Sequence, residues 1–218
     1  MAHCIDVESS KPQFLGPNKL VSISVDLYNA IREGDKEHFD SKFKELNEQK
    51  ELGLSEVIDH VRCAGDTLLH MAAKYGKQDI VQLIAKEFPQ LITRANCKGD
   101  TPLHVAARSA EKSGLVKVIL EAYIKHSPKK ELCRTANDFG NTPLHEAVIW
   151  NNFEGAEVLY QENELVAHNY LNKGDKSPIL YVAVESGNVE LVYLLLHAPM
   201  ENHDKIQKGK SPLLAAIL

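Results

Sequence analysis

The sequence predicts an all-α protein, a solenoid of helix-turn-helix units with short hairpin-like tips, and three observations predict it. Thr101-Pro102-Leu103-His104 returns as Thr142-Pro143-Leu144-His145, and the near copy Thr67-Leu68-Leu69-His70 precedes both. Equivalent positions lie 34 residues apart from His70 to His104, then 41 to His145, 36 to Tyr181 and 33 to Leu214. That is a basic period of about 33 residues with insertions, in the range of stacked repeat units. Each motif also opens a stretch whose apolar residues recur at helical spacing, followed by a second such stretch.

The clearest unit starts at Gly99-Asp100 and shows what each position does. Gly99 suits the positive φ of a tight turn, Thr101 can cap an orphan N–H at a helix start, and Pro102 fits the first helical position. Leu103, Ala106 and Ala107 then fall at i, i+3 and i+4, one face of a helix whose alanines permit close packing. Leu115-Val116-Lys117-Val118-Ile119-Leu120 supplies the second helix. Neither helix can bury its apolar face alone, so the units must stack. The same grammar runs from Gly65 to Ile84 and from Gly140 to Leu159. A divergent copy runs from Gly174 to Leu196, with Tyr181 in the histidine slot.

The chain of 218 residues divides on this reading as follows. Residues 1–24 form a flexible arm rich in Ser, Pro, Gly and charge, and 25–64 a divergent first repeat or cap with an insertion. Phe39, Phe43 and Leu46 mark its second helix, and Leu54 to Val61 a further short one. Repeats follow at 65–98, 99–139 (with an insertion), 140–173 and, divergent, 174–207. Residues 208–218 begin another repeat that stops within its first helix, which is read as a truncated array.

The Thr-Pro-Leu-His-x-Ala motif on this period resembles the ankyrin repeat family. More narrowly, Leu27-Tyr28-Asn29-Ala30-Ile31-Arg32-Glu33-Gly34-Asp35 and Leu180-Tyr181-Val182-Ala183-Val184-Glu185-Ser186-Gly187-Asn188 are similar to stretches of the plant membrane-associated ankyrin proteins. That accelerated-cell-death-like group carries a PGG domain with membrane spans after its repeats. The resemblance implies that Thr67, His70, Thr101, Pro102, His104, Thr142, Pro143 and His145 are structural, each histidine bonding near its helix start and toward a neighbouring turn. It also implies that hairpin tips and the exposed edges of the first helices form a concave binding strip.

Composition excludes several classes. A net charge of −5 with no dense Lys/Arg stripe argues against nucleic acid as the main partner. No secretory signal opens the chain, and no apolar run approaches the roughly 20 residues of a membrane helix. Cys63 and Cys97 each precede a motif histidine by seven residues, so they occupy equivalent places in successive repeats. Helices stacked about 8–10 Å apart hold such positions beyond the reach of a disulfide, and reduced thiols fit a cytoplasmic address. A longer form bearing membrane spans would place the array at the cytosolic face of the plasma membrane.

The repeated histidines invite a metal reading, but equivalent side chains one helix spacing apart cannot share an ion that needs ligands within about 2.3 Å. His145-Glu146 opens a zinc-protease pattern that fails at Ile149, where the second histidine would stand. No phosphate loop and no nucleophile elbow occurs. No enzyme, cofactor or metal is therefore expected. Lys125-His126-Ser127-Pro128-Lys129-Lys130 is a small basic patch that reads as a solvated loop.

Positions four and five after each histidine slot are expected to project from the first helix. They are Lys74 and Tyr75, Arg108 and Ser109, Ile149 and Trp150, and Glu185 and Ser186. Tip positions by the same alignment are Cys63, Ala64, Asp66, Cys97, Lys98, Asp100, Asp138, Phe139, Asn141 and Lys176. Because binding hot spots favour Trp, Tyr and Arg, the partner-contact set is Lys74, Tyr75, Arg108, Phe139, Ile149 and the lone Trp150. The competing reading has Trp150 packed under the preceding insertion. The function expected is a non-enzymatic protein-protein interaction module in plant defence or stress signalling. The alternative is the cytosolic regulatory portion of a multi-span transport or channel-like protein.

Overall fold

The computed structural model describes residues 17–48, 65–109, 114–126, 131–162 and 179–196, and among them there is helix and turn but no strand. Residues 1–16, the short helix expected at Leu54 to Val61, the tip positions Cys63, Ala64 and Lys176, the loop 127–130 and the repeat started at 208 lie outside the described residues. The helices are α1 (Pro17–Glu33), α2 (Lys36–Glu48), α3 (Leu68–Tyr75), α4 (Gln78–Glu87), α5 (Pro102–Ala107) and α6 (Leu115–His126). The series continues with α7 (Pro143–Ile149), α8 (Phe153–Glu162), α9 (Ile179–Glu185) and α10 (Val189–Leu196). Two 3₁₀ segments, Pro89–Thr93 and Leu132–Arg134, lead from a second helix toward the next tip.

Helices of one unit pack as pairs, and units stack like on like. The first helices α1, α3, α5, α7 and α9 contact one another in that order, and so do the second helices α2, α4, α6, α8 and α10. One continuous core results. Leu69, Leu103 and Leu144 are buried at the first apolar position of successive motifs, with Ala72, Ala73, Ala106, Ala107, Ala147 and Val148 behind them. Each large side chain so buried stabilises the fold by roughly 1.5–3 kcal/mol. Small residues at the next two places let the first helices approach closely.

Helix starts are set locally. In α3, α5 and α7 the N-cap threonine and the histidine three residues on form a reciprocal capping box, with His doing the work usually given to Glu or Gln. Pro102 and Pro143 occupy the first turn, where no N–H is needed. Gly76 ends α3 in the left-handed region, its N–H reaching the carbonyls of Ala72 and Ala73. Asn151 does the same after α7 at φ 54, the one non-glycine with positive φ among the described residues.

The predicted arm needs correction at its end, because α1 begins at Pro17 and residues 17–24 are helical. Proline at the first helical position, followed by Leu20, Ile23 and Leu27 at helical spacing, supplies the local reason. Leu27, Ala30 and Ile31 bury against the rest, and Phe39 and Phe43 of α2 carry that core outward to Phe88, whose ring meets Phe43 edge-on at 5.1 Å.

Candidate functional site

The histidines are scaffold by their bonding. Thr67 N–H donates to His70 Nδ1 at 3.1 Å, and the Thr67 hydroxyl lies 2.9 Å from the same nitrogen. His70 Nε2 lies 2.8 Å from the Asp100 carbonyl of the next unit, and a carbonyl can only accept, so the ring is the Nε2–H tautomer. His104 repeats this with Thr101 and with the Asn141 carbonyl at 3.0 Å. His145 bonds Thr142 in the same way through Nδ1. Burial holds His70 and His104 below the ordinary imidazole value, outweighing the pull of the carbonyl bonds and neighbouring carboxylates. With both nitrogens engaged, neither ring offers a lone pair to a metal.

Stacked tips show the same economy. Asn96 Oδ1 accepts from the N–H groups of Lys98 and Asp100, and Asn137 Oδ1 accepts from Phe139 and Asn141. Their amides then reach back one unit, Asn96 Nδ2 to Asp66 at 2.7 Å and Asn137 Nδ2 to Asp100 at 2.8 Å. Asp138 N–H donates to the Lys98 carbonyl at 3.0 Å, bonding tip to tip. Gly99 is required here: at φ +70, an added Cβ would lie 2.8 Å from Asp138 N.

The largest departure from the expected site is Arg108. Nη1 and Nη2 grip both oxygens of Asp100 at 2.7 Å, and Nε donates to Glu146 Oε2 at 2.7 Å. Its side chain is 26% exposed, whereas Asp100 and Glu146 are 1% and 5% exposed. Burial opposes the ionisation of both carboxyls, but bonds from Arg108, with Asn137 and Asn141 assisting, hold them below the usual carboxylate range. Burial likewise opposes the guanidinium charge and is outweighed by Glu146 and Asp100, so the group is held cationic. Arg108 is a clamp between two repeats, not a side chain projecting from the helix end.

Tyr75 is corrected in the same sense. It is half-buried, its hydroxyl 2.7 Å from that of Tyr28, with the rings edge-on at 6.1 Å. Two of the expected tip positions, Asp100 and Asn141, are also buried, and Asp66 is half-buried against Asn96. Lys74, Cys97, Lys98 and Asp138 are exposed. Phe139 is 60%, Ile149 40% and Trp150 56% exposed, so Trp150 is not packed away under neighbouring chain. A cleft of ≈ 370 Å³ lies between tips and first helices, lined by Asp66, Lys74, Lys98, Val105, Arg108 and Trp150 among others.

Several working residues were missed in the sequence: Tyr28, Asn96, Asn137, Glu146 and Asn152. Asn152 Oδ1 caps α8 through Gly155 N–H at 2.9 Å, while Nδ2 reaches the Ala107 carbonyl at the end of α5. The signal for two of them was present, since Asn96 and Asn137 stand 41 residues apart, the same interval as His104 and His145.

An open stack of two-helix units joined by bonded tips defines an α-solenoid of the repeat class, whose surfaces serve recognition. A three-copy ankyrin-repeat family model matches residues 27–130, and a single-copy ankyrin-repeat model matches 139–173. The chain belongs to the ankyrin repeat family, whose repeats are protein-interaction modules. No curated protein matches the chain at a significant level. Among the described residues no helix is long and apolar enough to cross a membrane, and no three His, Cys, Asp or Glu side chains gather as a metal site.

Proposed function

We propose that this chain is a non-enzymatic adaptor that holds a protein partner against the strip formed by its tips and first-helix ends, centred on Phe139, Ile149 and Trp150. The observation that carries this reading is selective exposure at one tip and the first helix that follows it. Pro143, Leu144, His145, Ala147 and Val148 are buried, while Phe139, Ile149 and Trp150 remain open to solvent. Solvent contact with three large apolar groups is unfavourable for the free chain and is relieved by covering them. Lys74 belongs at the margin of the contact. Tyr75 and Arg108 support it from within. Placement in plant defence or stress signalling rests on the subfamily resemblance alone.

The test is partner affinity for Trp150→Ala, with circular dichroism as the folding control. Tryptophan truncation at a contact centre costs about 2 kcal/mol or more, a loss in affinity of roughly 30-fold. Unchanged affinity in a folded variant overturns the assignment.

A further inference from the structure

Two positions eight residues apart change together along the array. They are Asp66 and Lys74, then Asp100 and Arg108, then Asn141 and Ile149. In the second pair the charges meet directly, at 2.7 Å. In the third pair both charges are gone, and Asn141 donates its amide to Glu146 at 3.0 Å instead. Trp150, next to Ile149, forms part of the lining of the cleft, which Arg108 also lines.

Charge enters through the rest of the cleft. Lys74 and Lys98 line it and are exposed, and the Arg108 guanidinium is partly open beside them. The carboxylates that line it are less open: Asp100 is buried, turned onto Arg108 and the Asn137 amide, and Asp66 is half-buried and accepts from Asn96. The lining therefore sets two exposed lysines against one half-buried and one buried carboxylate, with an exposed indole in the same cleft.

We propose that this cleft takes an extended acidic peptide segment of the partner, with an apolar or aromatic side chain against Trp150 and a carboxylate over Lys98. The proposal rests on the reading of this strip as the partner face and specifies the chemistry it selects. Neighbouring first helices lie about 8–10 Å apart, and an extended chain advances about 3.3 Å per residue, so groups set against adjacent units stand about two to three residues apart.

The experiment uses the full chain and fluorescein-labelled peptides with Phe three residues before Glu in a Gly/Ser/Ala background. Anisotropy reports binding, and emission reports contact, because Trp150 is the lone tryptophan in the sequence. The Glu peptide is expected to bind and shift Trp150 emission to the blue. Exchanging its Glu for Lys weakens binding at least tenfold, and Lys98→Glu in the protein reverses that preference. Equal binding of the two peptides with the Trp150 shift intact overturns the acidic assignment and leaves the strip as the partner face. Absence of binding at millimolar peptide, or binding that leaves Trp150 emission unmoved, overturns the proposed occupant. The reading beneath it fails separately, when the affinity of a folded partner is untouched by Trp150→Ala.

Discussion

Replacing Arg108 by Met keeps the hydrocarbon stem and removes the cation bonded to the two buried carboxylates Asp100 and Glu146. Three charge-assisted hydrogen bonds of 2.7 Å are lost at once. Breaking a buried pair from one side costs about 3–5 kcal/mol, because the remaining charge is left without its partner. Two features reduce that figure here. The Arg108 side chain is 26% exposed, so part of its interaction is screened by water. The amides of Asn137 and Asn141 still donate to Asp100 and Glu146 in the variant. The expected loss is about 2–3 kcal/mol at pH 7, a shift of about 1–2 M in the urea midpoint for slopes near 2 kcal/mol/M.

The pH dependence distinguishes a charge clamp from lost packing. Asp100 and Glu146 are held below the usual carboxylate range in the folded chain, so their contribution is present above about pH 4 and fades as pH falls further. In Arg108→Met burial is opposed only by the asparagine amides, both carboxyls rise, and protonation relieves the penalty. The gap between the two proteins therefore narrows from pH 7 to pH 4. Urea titrations followed by far-UV circular dichroism at both values measure it. A loss under about 0.5 kcal/mol at pH 7, or a gap that does not change with pH, refutes the clamp.

Other consequences follow from the same contacts. His70 and His104 are held neutral by burial, so stability is full above about pH 6.5 and falls as the unfolded chain takes up protons below it. His104→Gln, which can still close the capping box, is expected to lower the slope of stability against pH below that point, and an unchanged slope counts against the buried neutral ring. Gly99→Ala forces a left-handed alanine against the Asp138 backbone and is expected to cost at least about 1–2 kcal/mol in thermal or urea unfolding, whereas a neutral outcome contradicts the tip-to-tip packing.

Local chemistry was the legible part of this chain. Thr101, Pro102 and His104 act within four residues of one another, so period and propensity place α5 without tertiary knowledge. The same holds for α3 and α7. What the sequence hid depends on the register of stacking. Counting four residues past His104 reaches Arg108 but does not show that Glu146, 38 residues on, lies beside it. Tyr75 and Tyr28 are separated by 47 residues and meet only because α1 stacks on α3. Hence the positions four and five past the histidine slots fall at or beside the ends of α3, α5, α7 and α9, while the division between clamps and open side chains waited on the structure. Phe139, Ile149 and Trp150 are the open side chains of that division.

The central claim is that recognition occurs on the tip and first-helix strip. Hydrogen exchange of the chain, free and bound to its affinity-captured partner, tests it most directly. The account predicts slowed exchange at Lys98–Asp100, Asp138–Gly140 and the Ile149–Asn152 turn, with α4, α6 and α8 unchanged around Gln82, Lys117 and Glu157. Protection confined to those second helices, with the tips and the Trp150 turn exchanging as in the free chain, would contradict it.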